Sequence, residues 1–149
     1  GVEDKALVKA YSDDFFAEIV YKKKTMPHAV EALEYLSSKY NLYILSNGFR
    51  ELQEQKMRSA GVDKYFKKVV LSEDIGVHKP FPEIFYFAMS ATQSELHTSL
   101  MIGDNWENDI AGAKDAGLGQ VFYNVKKTTK FSFQPTGIIE DWNEIGKIL

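Results

Sequence analysis

The sequence predicts an α/β domain: a parallel sheet with helices on both faces. Short apolar runs alternate with segments of helical periodicity from about residue 25 onward. Polar residues gather at the carboxyl ends of those runs, where parallel sheets bind their ligands. The 149 residues are 44% hydrophobic and 26% charged, enough for one soluble domain with a usable core.

The elements follow in order. Val2 to about Tyr21 has helical spacing, with Leu7, Tyr11, Phe15 and Ile19 every fourth residue. Lys22, Lys23 and Lys24 form a basic connector, read as a solvated hinge. Pro27 suits a helix start, and Ala29, Leu33, Leu36 and Tyr40 share one face. Leu42 to Leu45 is a short buried strand ended by Ser46-Asn47-Gly48. A helix from about Phe49 to Ala60 stops at Gly61. Lys68 to Ser72 is a second strand, Gly76 to Pro80 a loop, and Pro82 to Met89 a helix. Ser99 to Ile102 is a third strand ended by Gly103-Asp104. The next helix carries Trp106, Ile110, Ala113 and Gly117 at its inner spacing. Gln120 to Asn124 is a fourth strand, Ile138-Ile139 a short fifth, and Asp141 caps a last helix from Trp142 to Leu149.

Bulk properties exclude several classes. A net charge of −3 gives no basic surface for a nucleic-acid polymer. No apolar run approaches the roughly 18–20 residues of a membrane span, and no signal-peptide pattern opens the chain. The absence of cysteine rules out disulfides and thiolate metal sites and fits a cytoplasmic setting. His28, His78 and His97 stand far apart, without ligand spacing, and are read as surface or loop residues. Trp106, Tyr123, Phe131 and Phe133 are read as packing residues.

Three clusters carry candidate chemistry. Ser46, Asn47 and Gly48 precede a helix, where a hydroxyl, a side-chain amide and backbone amides suit an anion. Taken alone, serine and asparagine after a strand are more often turn formers. Lys79 precedes Pro80, which favours an extended backbone and lets the ammonium reach over the strand ends; a lone loop lysine is more often a solvated charge. Asp104 ends an apolar strand and offers the oxygen ligand that magnesium prefers. Asp109, five residues later, is placed to brace the site. Helix capping by Asp104 with a solvated Asp109 is the plainer alternative.

Leu45-Ser46-Asn47-Gly48-Phe49, Gly76-Val77-His78-Lys79-Pro80 and Gly103-Asp104 through Ala113 with Ala116-Gly117 each follow their own strand, in this order. They resemble the second, third and fourth motifs of the haloacid dehalogenase-like superfamily, over about residues 25 to 125. The resemblance implies a Rossmann-like three-layer α/β/α core at 25–149, with 1–24 the remnant of a helical cap and its connector. It implies that Ser46 binds the phosphoryl group, with amide contacts from Asn47 and Gly48. Lys79 would balance the charge of phosphate and nucleophile, Asp104 would hold Mg2+, and Asp109 would support the metal loop. The expected partner is a small phosphorylated substrate. The expected reaction is hydrolysis of a phosphate monoester, a nucleoside monophosphate favoured, through an aspartyl-phosphate.

One part of the family pattern is missing. No Asp-x-Asp occurs, and Asp13-Asp14 is adjacent and helical. That motif, which holds the nucleophile, belongs to the first strand, central in a 5-4-1-2-3 order. The expectation is therefore a gap in the sheet, filled by a missing N-terminal segment or a second chain. The 149 residues by themselves should be inactive. Two alternatives stand beside this reading: a non-catalytic phosphate-binding or regulatory module, and a metal-independent dehalogenase. Dehalogenating members resemble Ser-Ser-Asn where this chain has Gly103-Asp104-Asn105.

Overall fold

The computed structural model describes residues 4–20 and 23–149, apart from the side chains at 12, 13, 15–17, 19 and 20. The expected helix ends at Val2 and Tyr21, Lys22 of the connector, and the side chains of Asp13, Phe15 and Ile19 lie outside the described residues. Helix α1 (Lys5–Val20) lies against α3 (Arg50–Ser59). The described part of its expected apolar stripe is not buried: Leu7 and Tyr11 are exposed.

The core begins with α2 (Ala29–Lys39), two residues past Pro27. Strands β1 (Leu42–Ser46) and β2 (Phe66–Leu71) form a parallel pair, Leu45 opposite Val70. After α4 (Pro82–Thr92), a second parallel sheet has the order β3-β4-β5. Its strands are β3 (Leu100–Gly103), β4 (Gly119–Tyr123) and β5 (Gly137–Ile139). Between β3 and β4 the chain makes a π-helix (Trp106–Ala111) and then α5 (Gly112–Asp115), rather than the single α-helix that the apolar spacing suggests. The wider π turn still buries Ile110 and Ala113 completely. The last helix is 3-10 (Trp142–Lys147) and starts where expected: Asp141 accepts from the Asn143 amide at 2.9 Å.

Helix layers, not strand pairing, join the two sheets. On one face Ala32 and Leu36 of α2 pack with Val121, Ile139 and Ile145, and Leu42 of β1 and Leu100 and Ile102 of β3 pack against that cluster. On the other face Ile84 and Phe85 of α4 pack with Ala113 and Leu118, against Leu45 and Met101. Alternate residues of β3 thus serve opposite faces, as a strand covered on both sides requires. Among the described residues no strand pairs with the second edges of β1 and β3, the gap that the missing motif implied. No described helix is long and apolar enough to cross a membrane.

One polar contact pins the loop after β2. The Leu71 amide donates to Asp74 Oδ2 at 2.9 Å, and Arg50 reaches the other oxygen. The backbone hydrogen bond, reinforced by Arg50, holds the Asp74 carboxyl below its ordinary value of 3.8. A depressed carboxyl stabilises the fold above its unfolded value and loses that contribution as pH falls through the folded one. Thermal stability should therefore decline below about pH 4, and Asp74→Asn should flatten that decline; an identical acid profile in the variant would disconnect Asp74 from it.

Candidate functional site

Three loops meet at the carboxyl rim. β1 ends in Ser46, whose Oγ accepts the Gly48 amide at 3.0 Å and the Gln53 side-chain amide at 3.2 Å. A hydroxyl oxygen has two lone pairs and one hydrogen. With both lone pairs engaged, the O–H is left to donate, which suits an anion. A Cβ on Gly48 would strike the Gln53 amide, so glycine is what lets Gln53 close on Ser46. Gln53→Leu should leave the fold intact and weaken phosphate binding by about 0.5–1.5 kcal/mol, the worth of one orienting hydrogen bond. Titration calorimetry reads this, and unchanged affinity would free Ser46 of its dependence on Gln53.

Asn47 locks the first loop to the second. Its Oδ1 accepts the Lys79 amide at 2.8 Å and its Nδ2 donates to the Lys79 carbonyl at 3.1 Å. Both Asn47 and Gly48 are thus engaged within the protein, shaping the site. The clamp aims Lys79 inward. Its ammonium donates to the Leu45 carbonyl at 2.8 Å and to Asp109 Oδ1 at 2.6 Å. Both side chains are nearly buried, 10% exposed for Lys79 and 8% for Asp109. Lys79 is therefore not a solvated loop charge, and Asp109 is not a solvated helix carboxylate.

Asp109 completes the circuit. Its Oδ2 accepts the Asn105 amide at 3.0 Å. A Cβ on Gly103 would collide with the Asp109 carboxylate, which explains a glycine at the end of β3. The cap of the π-helix is Asn105, which accepts from the Asn108 amide at 2.9 Å, and not Asp104. Asp104 is exposed and makes no hydrogen bond or ion pair with any described residue. Its carboxylate is free for an external cation. Magnesium is commonly held by one or two carboxylates, with water and substrate phosphate filling the shell, so Asp104 fits as one ligand. The described residues contain no cluster of three acidic or histidine groups that could hold a metal by themselves.

Lys79 ties Leu45 and Asn47, the neighbours of Ser46, to Asp109, and Asp109 in turn holds the amide of Asn105, the neighbour of Asp104. A profile of the haloacid dehalogenase-like hydrolases matches residues 2–117. The chain belongs to that family. This haloacid dehalogenase-like chain is 35% identical over 118 residues to the pyrimidine 5'-nucleotidase YjjG of Escherichia coli, covering 78% of the chain and 51% of YjjG. It is 32% identical over 106 residues to glyceraldehyde 3-phosphate phosphatase of Methanothermobacter thermautotrophicus, covering 70% and 47%. The magnesium-bound structure of the putative hydrolase YfnB from Bacillus subtilis superposes with a TM-score of 0.85 at 27% identity, over 96% of this chain and 67% of that one. The chain spans about half the length of the curated relatives it matches.

Sequence reasoning missed Gln53, the Leu45 carbonyl and Asn105. Asn105 had a signal, a cap residue three before Asn108 at a helix start; Gln53 had none beyond lying one turn into α3. The histidines and aromatics sit as expected. His97 is 77% exposed, and His28 pairs with Asp141 at the surface. Trp106 meets Phe122 edge-on and lies tilted against Phe131 and Phe133.

Proposed function

We propose that the protein to which this chain belongs hydrolyses a small phosphate monoester with the help of magnesium, a nucleoside monophosphate being the favoured substrate. The observation that carries this is the exposed Asp104 carboxylate, on the loop whose Asp109 holds the buried Lys79 ammonium, together with a Ser46 hydroxyl whose spare function is to donate. Ser46 would donate to a phosphoryl oxygen, and Lys79 would offset the negative charge that gathers as ester oxygen leaves. Asp104 would hold magnesium, which screens the phosphoryl group against an anionic nucleophile. Asp109 would keep Lys79 aimed. The nucleophile would be an aspartate outside these 149 residues, attacking phosphorus as the P–O ester bond breaks, with water then releasing phosphate. Residues 4–20 would belong to a cap over this rim. The exposed Asp104 favours this reading over metal-independent dehalogenation.

Two exposed rings bear on the substrate. Phe49 and Phe81 are 67% and 61% exposed and begin the helices after the two loops that Asn47 joins. An aromatic leaving group would cover them, and stacking on such rings is worth about 1–3 kcal/mol per base. Uridine monophosphate should therefore bind the chain more tightly than ribose 5-phosphate in the presence of magnesium, and Phe49→Ala with Phe81→Ala should erase the difference. Equal affinities in the unaltered chain would remove the preference for a base.

The direct test uses the full-length protein, with inorganic phosphate release measured from uridine monophosphate and from glycerol phosphate. Release that requires magnesium is expected. No release from either ester, at any magnesium level, would sink the proposal.

A further inference from the structure

β4 ends on Tyr123, next to the end of β3. Ile102 of β3 pairs with Val121 of β4, and both pack into the cluster around Ala32 and Leu36. Side chains return to the same face of a sheet every second residue. By that alternation Asp104 and Tyr123 come next on this face, side by side at the carboxyl rim. The Tyr123 ring belongs to the cluster and lies 4.8 Å from the ring of Trp142. Only 9% of the residue is exposed, yet its hydroxyl makes no hydrogen bond with any described residue. No fully buried side-chain polar atom among them lacks a partner, so this oxygen reaches the surface. The phenol therefore has its body in the core and a spare donor at the rim. Burial first, then the charges of Asp141 and Asp104, hold it above its ordinary value of 10.0, so it stays protonated.

The two carboxylates near the phenol differ. Asp141 is engaged: its Oδ1 accepts the Asn143 amide at 2.9 Å and pairs with His28 Nδ1 at 2.6 Å. Asp104 is exposed and has no partner among the described residues. The adjoining Asn105 amide donates to Asp109 instead. A carboxylate that ligates a metal normally accepts a hydrogen bond as well, and that bond sets its orientation. The rim thus holds an acceptor without a donor next to a donor without an acceptor.

We propose that the Tyr123 hydroxyl is a positioning donor for the cation site, donating to the Asp104 carboxylate oxygen that is turned away from magnesium. This rests on the reading of Asp104 as a cation ligand and adds the group that orients it. Tyr123 touches neither the cation nor the substrate; it acts through Asp104. Its ring, fixed against Trp142, gives the hydroxyl a set position, and cation binding selects the Asp104 rotamer in which the bond is made.

The experiment titrates magnesium alone into the full-length protein by calorimetry, with no phosphate ester present, and compares Tyr123→Phe and Asp104→Asn. Phenylalanine keeps the ring contact and removes only the donor. Tyr123→Phe should weaken magnesium binding by about 10- to 100-fold, the usual effect of losing a group that orients a metal ligand, with the melting temperature unchanged. Asp104→Asn should abolish saturable binding. A second measurement needs no altered Tyr123: with 3-fluorotyrosine incorporated, the Tyr123 fluorine signal should move on saturation with magnesium, and should stay still in Asp104→Asn. Unchanged affinity in Tyr123→Phe, or a Tyr123 signal indifferent to magnesium, while Asp104→Asn loses binding, would overturn the positioning role and leave Asp104 as the ligand. Full magnesium affinity in Asp104→Asn would overturn the reading of Asp104, and this inference with it.

Discussion

Replacing Lys79 with methionine is expected to destabilise the chain by about 3–5 kcal/mol, the usual cost of leaving one member of a buried ion pair alone. The pair is 2.6 Å apart, with both side chains at or below 10% exposure. Removing the ammonium strands a carboxylate in a site that Gly103 and the Asn105 amide already crowd. The Leu45 carbonyl loses its partner as well. The double change Lys79→Met with Asp109→Leu removes both charges and should recover much of the loss, since replacing a buried pair with apolar groups is often neutral. Urea denaturation of the unaltered chain and the two variants gives the comparison. A single Lys79→Met change costing less than about 0.5 kcal/mol would show that the pair is not what ties the second loop to the third.

Asp104→Ala is expected to do the opposite. The side chain is exposed and unpaired, so stability should stay within about 0.5 kcal/mol, as for an ordinary surface substitution. Turnover by the full-length protein should fall by about a hundred- to thousandfold, the range for losing one preorganised charge-stabilising contact. The discriminating pattern is loss of activity without loss of melting temperature, together with loss of the magnesium dependence of phosphate binding. Full activity in a well-folded variant would leave the rim without its proposed cation ligand.

Much of this arrangement was legible in the residues because parallel sheets constrain where polar groups can go. Ser46, Lys79 and Asp104 each end or follow an apolar run. The missing central strand was legible for the same reason: without it β1 and β3 have no common partner, and they have none among the described residues. What the sequence did not carry is the direction of side chains across loops. The Asn47 side chain spans 32 residues to the Lys79 backbone, a pairing that no local spacing encodes. The turn after Asp104 has apolar residues at α-helical spacing, but its backbone widens to a π-helix as Asp109 turns inward to Lys79 and the Asn105 amide. The stripe on α1 had the period of a buried helix, yet its described members Leu7 and Tyr11 are exposed, although α3 lies alongside. Periodicity reports that a face is apolar; it does not report what covers it.

The account depends on one anion-binding rim shared by three loops. The most direct measurement is a residue-resolved NMR titration of the chain with inorganic phosphate in the presence of magnesium. The account predicts saturable shifts confined to the amides of Ser46–Gly48, the Lys79 loop and the Asp104–Asn105 turn, with the Asp104 response vanishing when magnesium is removed. Shifts centred elsewhere, or a response at only one of the three loops, would contradict it.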